Sequence, residues 1–149
     1  MTSIRAARFA AAYALLRAAG DVADHWIQTD HQATTKGHHD HTDGQSSAAG
    51  RRACAAHVAS YTAAQAAALL GGARLLGVRL RPGPVAAALA LSAVTHYVAD
   101  RREPLRRLAD ATGKGVFVRL ADHGMNGGYL LDQSWHHAFE ALAALIASV

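Results

Sequence analysis

Apolar positions recur along most of this chain at the three- to four-residue interval of an α-helix, and the pattern is interrupted by a few polar or Gly- and Pro-rich connections. A first helix is predicted from about Ile4 to about Thr29, with Gly20 as a bend or close-packing point in its middle. Residues 34–50 have no apolar periodicity and are rich in Gly, Ser, Thr and Asp, the composition of a flexible connection, here a His-rich one. A second helix is expected over about Arg51 to Leu70, ending near Gly71-Gly72. The turn from Arg79 to Pro84 leads into a third, Val85 to about Arg102, and its second proline suits a first helical turn. Pro104 disfavours helical geometry at Glu103, so a short fourth helix is expected afresh over Leu105 to Ala111, stopping at Gly113. Residues 114–128 read as irregular, and a last helix runs from about Leu130 to Ala147, beginning near Asp132. Only Val116-Phe117-Val118 resembles a strand, and one short strand makes no sheet.

These elements predict an all-α fold: a compact bundle of four to five helices in a single domain spanning 1–149, with a polar His/Asp cluster between helices. Composition agrees, since 51% of residues are hydrophobic but only 6% aromatic. Ala, the best helix former, fills runs such as Ala63 to Ala68, so small side chains must pack the core.

The formal charge of +4 comes almost wholly from Arg, Lys36 and Lys114 being the two lysines. An Arg- and Ala-rich vocabulary reflects a GC-rich genome, which weakens the charge as a sign of nucleic-acid binding. The group Arg101, Arg102, Arg106, Arg107 reads either as a solvated helix end or as a patch for phosphates or anionic lipid. The single cysteine, Cys54, excludes an internal disulfide and a Cys-based zinc site, and fits a reducing, cytoplasmic setting. Arg5 and Arg8 ahead of Phe9 to Leu16 imitate a signal peptide, but Arg17 interrupts the run and the helical pattern continues, so a retained helix is expected. No apolar stretch reaches the roughly 18 to 20 residues of a spanning helix. A mean hydropathy of +0.04 leaves association with a membrane surface open.

Against this apolar background, His and Asp recur one helical turn apart. Asp21, Asp24, His25 and Gln28 share a helical face, His57, Tyr61 and Gln65 form a second polar line, and His96–Asp100 and Asp132–His136 repeat the interval of four. Such spacing sets side chains roughly 5 to 6 Å apart, close enough for an imidazole and a carboxylate to meet on one cation. Each pair alone is equally an ordinary surface or helix-end interaction, and Asp132 fits a helix cap. The run His38-His39-Asp40-His41 belongs to the connection; its His39-Asp40 matches an HD phosphohydrolase pair in letters but not in helical setting. Cys54, three residues before His57, reads as a small core residue rather than a nucleophile.

Taken together, Asp24-His25-Trp26-Ile27-Gln28-Thr29-Asp30 with Lys36, then His57, then His96 with Asp100, and finally Leu130-Leu131-Asp132-Gln133 with His136, resemble the pattern of a bacterial family of small helical proteins without an assigned activity, many of them classed as membrane proteins. The family usually has Asp-Phe where this chain has His25-Trp26, and this chain is less apolar than its membrane members. The resemblance implies that these residues face inward and form one site, and it implies no substrate.

The function expected is that of a metal-dependent hydrolase acting on a small molecule. His57, His96, Asp100, Asp132 and His136 would hold a divalent metal, zinc being the ion expected, with Asp24, His25, Gln28 and Gln133 as the groups that handle protons and orient substrate. The alternative is a non-catalytic helical protein, soluble or membrane-associated, whose His and Asp residues form a buried hydrogen-bond network. Nucleic-acid binding through Arg101 to Arg107 is the weakest reading, because no aromatics interleave the arginines for base stacking.

Overall fold

The computed structural model describes residues 2–122 and 124–149, so His123, within the stretch expected to be irregular, lies outside the described residues. Among the described residues there is no strand, and the helices are α1 (Thr2–Val22), α2 (Asp30–Thr35), α3 (Ser47–Leu75), α4 (Pro82–Asp100), α5 (Glu103–Ala111), α6 (Gly115–Val118) and α7 (Gly127–Ala147). The four long ones, α1, α3, α4 and α7, each pack against two of the others, making a closed four-helix arrangement in which neighbours run antiparallel. One end is apolar: Ala12 and Leu16 of α1, Leu69 of α3, Val85 and Ala88 of α4, and Ala143, Ala144 and Ala147 of α7 form the core. Alanines at these positions bring helix backbones close, and Leu16 and Leu69, both fully buried, contribute about 1.5–3 kcal/mol each. The other end is polar and is flanked by the short helices α2, α5 and α6.

Several expected boundaries shift for local reasons. The first helix does not run to Thr29. It passes at Ala23–Ile27 into a π-turn, closed by Gln28 N–H donating to Ala23 O at 2.9 Å, and stops at Gln28. Such a turn inserts an extra residue and is frequent at functional sites. Thr29 then caps α2 by a reciprocal capping box: Gln32 N–H donates to Thr29 Oγ1 at 3.2 Å, and Thr29 N–H to Gln32 Oε1 at 2.9 Å. The second predicted helix starts earlier, at Ser47, and runs through Gly71 and Gly72 without a break. The strand-like Val116 to Val118 lies in the single turn of α6. Asp132 is not a cap, because Asn126 holds that place in α7, accepting from Tyr129 N–H at 2.9 Å.

The connection over 36–46 is tied down. Arg101, which is buried rather than solvated, donates to Lys36 O at 2.5 Å and His38 O at 2.7 Å. His39 Nε2–H donates back to Arg101 O at 2.9 Å, and Asp40 exchanges two hydrogen bonds with Ser47 at the start of α3. The His39-Asp40 pair is thus a structural tie.

Candidate metal centre

At the polar end, four elements deliver side chains to one point. The π-turn presents Asp24, α3 presents His57, α4 presents His96 and Asp100 from consecutive turns, and α7 presents Asp132 and His136 likewise. His57 Nε2 lies 3.0 Å from Asp24 Oδ1, 3.0 Å from His96 Nε2 and 3.4 Å from Asp100 Oδ2. His96 Nε2 lies 3.4 Å from Asp24 Oδ1 and 3.1 Å from Asp100 Oδ2. His136 Nε2 stands 3.3 Å from Asp132 Oδ2. Three overlapping trios, Asp24/His96/His136, His57/His96/Asp100 and Asp100/Asp132/His136, each have potential ligand atoms within 4.8 Å of one another. The five residues expected as metal ligands are distributed over these three trios, and Asp24, expected among the proton-handling groups, belongs to one of them.

The ring of His96 is clamped between Tyr61, at a centroid distance of 3.8 Å, and His136, stacked at 4.1 Å. Its orientation is therefore fixed by packing on both faces. Burial works to raise the Asp24 carboxyl, but the His57 hydrogen bond and the charges of His96, His136 and Lys36 outweigh it and hold Asp24 below the ordinary carboxylate value. Asp100 is also held well below that value: burial opposes, and is overcome by His96 and by Lys36, whose Nζ lies 2.7 Å from Asp100 Oδ1. Burial pushes His96 down, despite Asp100 beside it. At neutral pH Asp24 and Asp100 are thus ionised and His96 is neutral, the states in which these three groups can bind a cation. His136 is raised, because Asp132 outweighs burial.

A cleft of about 500 Å³ opens beside this cluster, with Asp24, Asp100 and Asp132 among its lining residues. His25, Gln28 and Gln133, the other residues expected in the site, line its walls. His25 Nδ1–H donates to Asp21 O at 2.8 Å, which leaves Nε2 to accept from Tyr129 Oη–H at 3.0 Å. Asp21 does not reach the cluster and pairs instead with Arg17 at 2.7 Å.

Two groups escaped the sequence reading. Lys36 was legible only through the resemblance, without a role. Glu140, 1% exposed on α7 one turn beyond His136, anchors a second buried network: Tyr61 Oη–H donates to Glu140 Oε1 at 2.9 Å, Gln65 Nε2 to Tyr61 Oη at 3.1 Å, and Ser92 Oγ to Gln65 Oε1 at 2.7 Å. The interval of four from His136 was the available signal. Gly20 makes room for this network, since a Cβ there would overlap Glu140 Oε1. Cys54 is buried and its thiol is pushed up to about 12, first by burial and then by Asp100, so it is no nucleophile.

No protein family, curated protein or solved structure matches the chain. No helix among the described residues is long and apolar enough to cross a membrane.

Proposed function

We propose that the protein is a metal-dependent hydrolase whose divalent ion is held among His57, His96, Asp24 and Asp100, with His136 and Asp132 alongside. The observation that carries this reading is the convergence of four donor atoms with too few protons between them. Each imidazole supplies at most one Nε2–H, yet His57 Nε2 and His96 Nε2 face each other at 3.0 Å and both face two carboxylate oxygens. Donors about 2.0–2.1 Å from a tetrahedral ion stand about 3.3 Å apart, and five of the six separations among these atoms, all but that between the two carboxylates, span 3.0 to 3.4 Å. A mixed imidazole and carboxylate set suits zinc among the divalent ions. The ion would bring a coordinated water towards ionisation near neutral pH. His25, with Nδ1–H fixed on a backbone carbonyl and Nε2 accepting from Tyr129 Oη–H, lines the cleft as a candidate to move a proton.

A second reading, a non-catalytic buried network that fixes helix register, draws on different observations. His57 Nδ1 and His96 Nδ1 are buried without a partner, whereas a ligating imidazole usually donates its remote N–H to a carboxylate or carbonyl. Lys36 already neutralises Asp100. Elemental analysis of purified protein decides between them. The hydrolase reading expects about one divalent ion per chain, lost in His96→Ala and retained when the loop histidines His38, His39 and His41 are changed to Ala. Protein that is metal-free, cannot be loaded and is fully stable would establish the second reading.

A further inference from the structure

The cleft beside the cluster is lined by both acidic and basic side chains. Lys36, Arg102 and Arg106 line it together with Asp24, Asp100 and Asp132. Arg106 makes no ion pair among the described residues. Its nearest acidic neighbours are engaged elsewhere, Glu103 by Arg107 at 3.0 Å and Asp110 by Arg119 at 2.6 Å. Arg102, one helical turn earlier, holds the positive φ of 59° that no other non-glycine described residue adopts, in a tight turn closed by Glu103 N–H donating to Arg101 O at 2.6 Å. That turn lays the Arg102 stem across Gly37, where a Cβ would stand 2.5 Å from Arg102 Cδ. The guanidinium keeps one hydrogen bond, to Ala33 O at 3.2 Å, and its other donors remain. Strain of this kind at a non-glycine residue persists where the surroundings demand it, and it collects at ligand clamps. Gln28 adds a buried Nε2 with no partner on the same cleft.

From these groups we infer that the cleft takes a small phosphomonoester, its phosphoryl group held by Arg102, Arg106 and Lys36; this rests on the hydrolase reading proposed above. Three carboxylates, one divalent ion and three basic side chains leave two positive charges, which a phosphate dianion balances. Two arginines on the cleft, Arg102 just before α5 and Arg106 within it, suit phosphate oxygens, which guanidinium groups bind in bidentate fashion. The cleft volume, about 500 Å³, is that of a small-molecule site. In the reaction the oxygen of a water forms a bond to phosphorus and the bond from phosphorus to the alcohol oxygen breaks. One water proton leaves for a base on the cleft and one proton ends on the departing oxygen, giving inorganic phosphate and the free alcohol.

The test measures inorganic phosphate binding by calorimetry and turnover of 4-nitrophenyl phosphate, with metal content determined on each sample. Arg106→Ala and Arg102→Gly are the variants, glycine being chosen because it accepts the positive φ and keeps the fold. Loss of a charged hydrogen bond predicts phosphate binding weakened about 10- to 100-fold in each, with metal content and thermal midpoint preserved. Turnover of the uncharged 4-nitrophenyl acetate should change far less. Metal-loaded protein that ignores phosphate, or binds it equally well in both variants, would overturn the phosphomonoester assignment and leave the hydrolase reading standing. Metal-free protein with Arg-dependent phosphate binding would do the reverse, removing the hydrolase reading while upholding the anion site.

Discussion

Changing Glu140 to Gln should make the protein more stable at neutral and alkaline pH and leave it nearly unchanged in acid. Burial raises this carboxyl from 4.5 to about 7, against the opposing hydrogen bond from Tyr61 and the charge of Arg17. Between those two values the folded chain holds a proton that the unfolded chain has released. Stability therefore falls as pH rises through this window, and the loss is complete above about 7. At about 1.4 kcal/mol per pH unit the ionised group costs about 3 kcal/mol. Gln keeps the oxygen that accepts from Tyr61 and cannot ionise, so it removes the cost while the network of Gln65 and Ser92 stays intact. Urea unfolding of both proteins at a series of pH values from 4 to 8.5 isolates the effect, because every other titrating group is common to the pair and cancels in the difference. The variant should gain steadily above about pH 4.5 and level off above about 7, about 3 kcal/mol more stable. Stability curves that run parallel across that range would show that Glu140 does not ionise as a buried group, and the argument from its burial would fail.

Two further expectations concern the surroundings of the site. Gly20→Ala gains about 1 kcal/mol of helix propensity, but its methyl would overlap Glu140 Oε1 and stand 2.8 Å from Tyr61 Oη. Overpacking and a displaced charged hydrogen bond should outweigh the gain by about 2 kcal/mol, lowering the thermal midpoint by roughly 4–8 °C; an unchanged or raised midpoint would refute this. Cys54, with its thiol near 12, should be about one part in ten thousand thiolate at pH 8. A thiol reagent should modify it only as fast as the chain unfolds, and rapid labelling of native protein would contradict its burial.

The helices and the paired residues on them were legible because both depend on local spacing. An interval of four puts His96 beside Asp100, and Asp132 beside His136, whatever the rest of the chain does. Helix ends were less legible where a short-range device intervened: the capping box at Thr29, the Asn126 cap and the unbroken passage through Gly71-Gly72 each moved a boundary. The π-turn was invisible, since an i→i+5 hydrogen bond leaves no mark on a 3.6-residue pattern, yet it carries Asp24 to within 3.0 Å of His57. The arginines read together from the sequence were divided by the fold, Arg101 going inward to hold the 36–46 connection and Arg102 and Arg106 lining the cleft.

What the sequence determined by itself is an all-helical chain with polar pairs set one turn apart, because helix propensity and helical periodicity act over a few residues. Only the tertiary structure decided that Asp24, His57, His96 and His136 lie on facing surfaces at the same height, that Lys36 closes on Asp100, and that Glu140 is sealed from water. Those relations span up to 112 positions, as between Asp24 and His136, and they follow from how antiparallel helices with alanine-lined faces pack and in what register, a matter of volumes and contacts that no interval along the chain encodes.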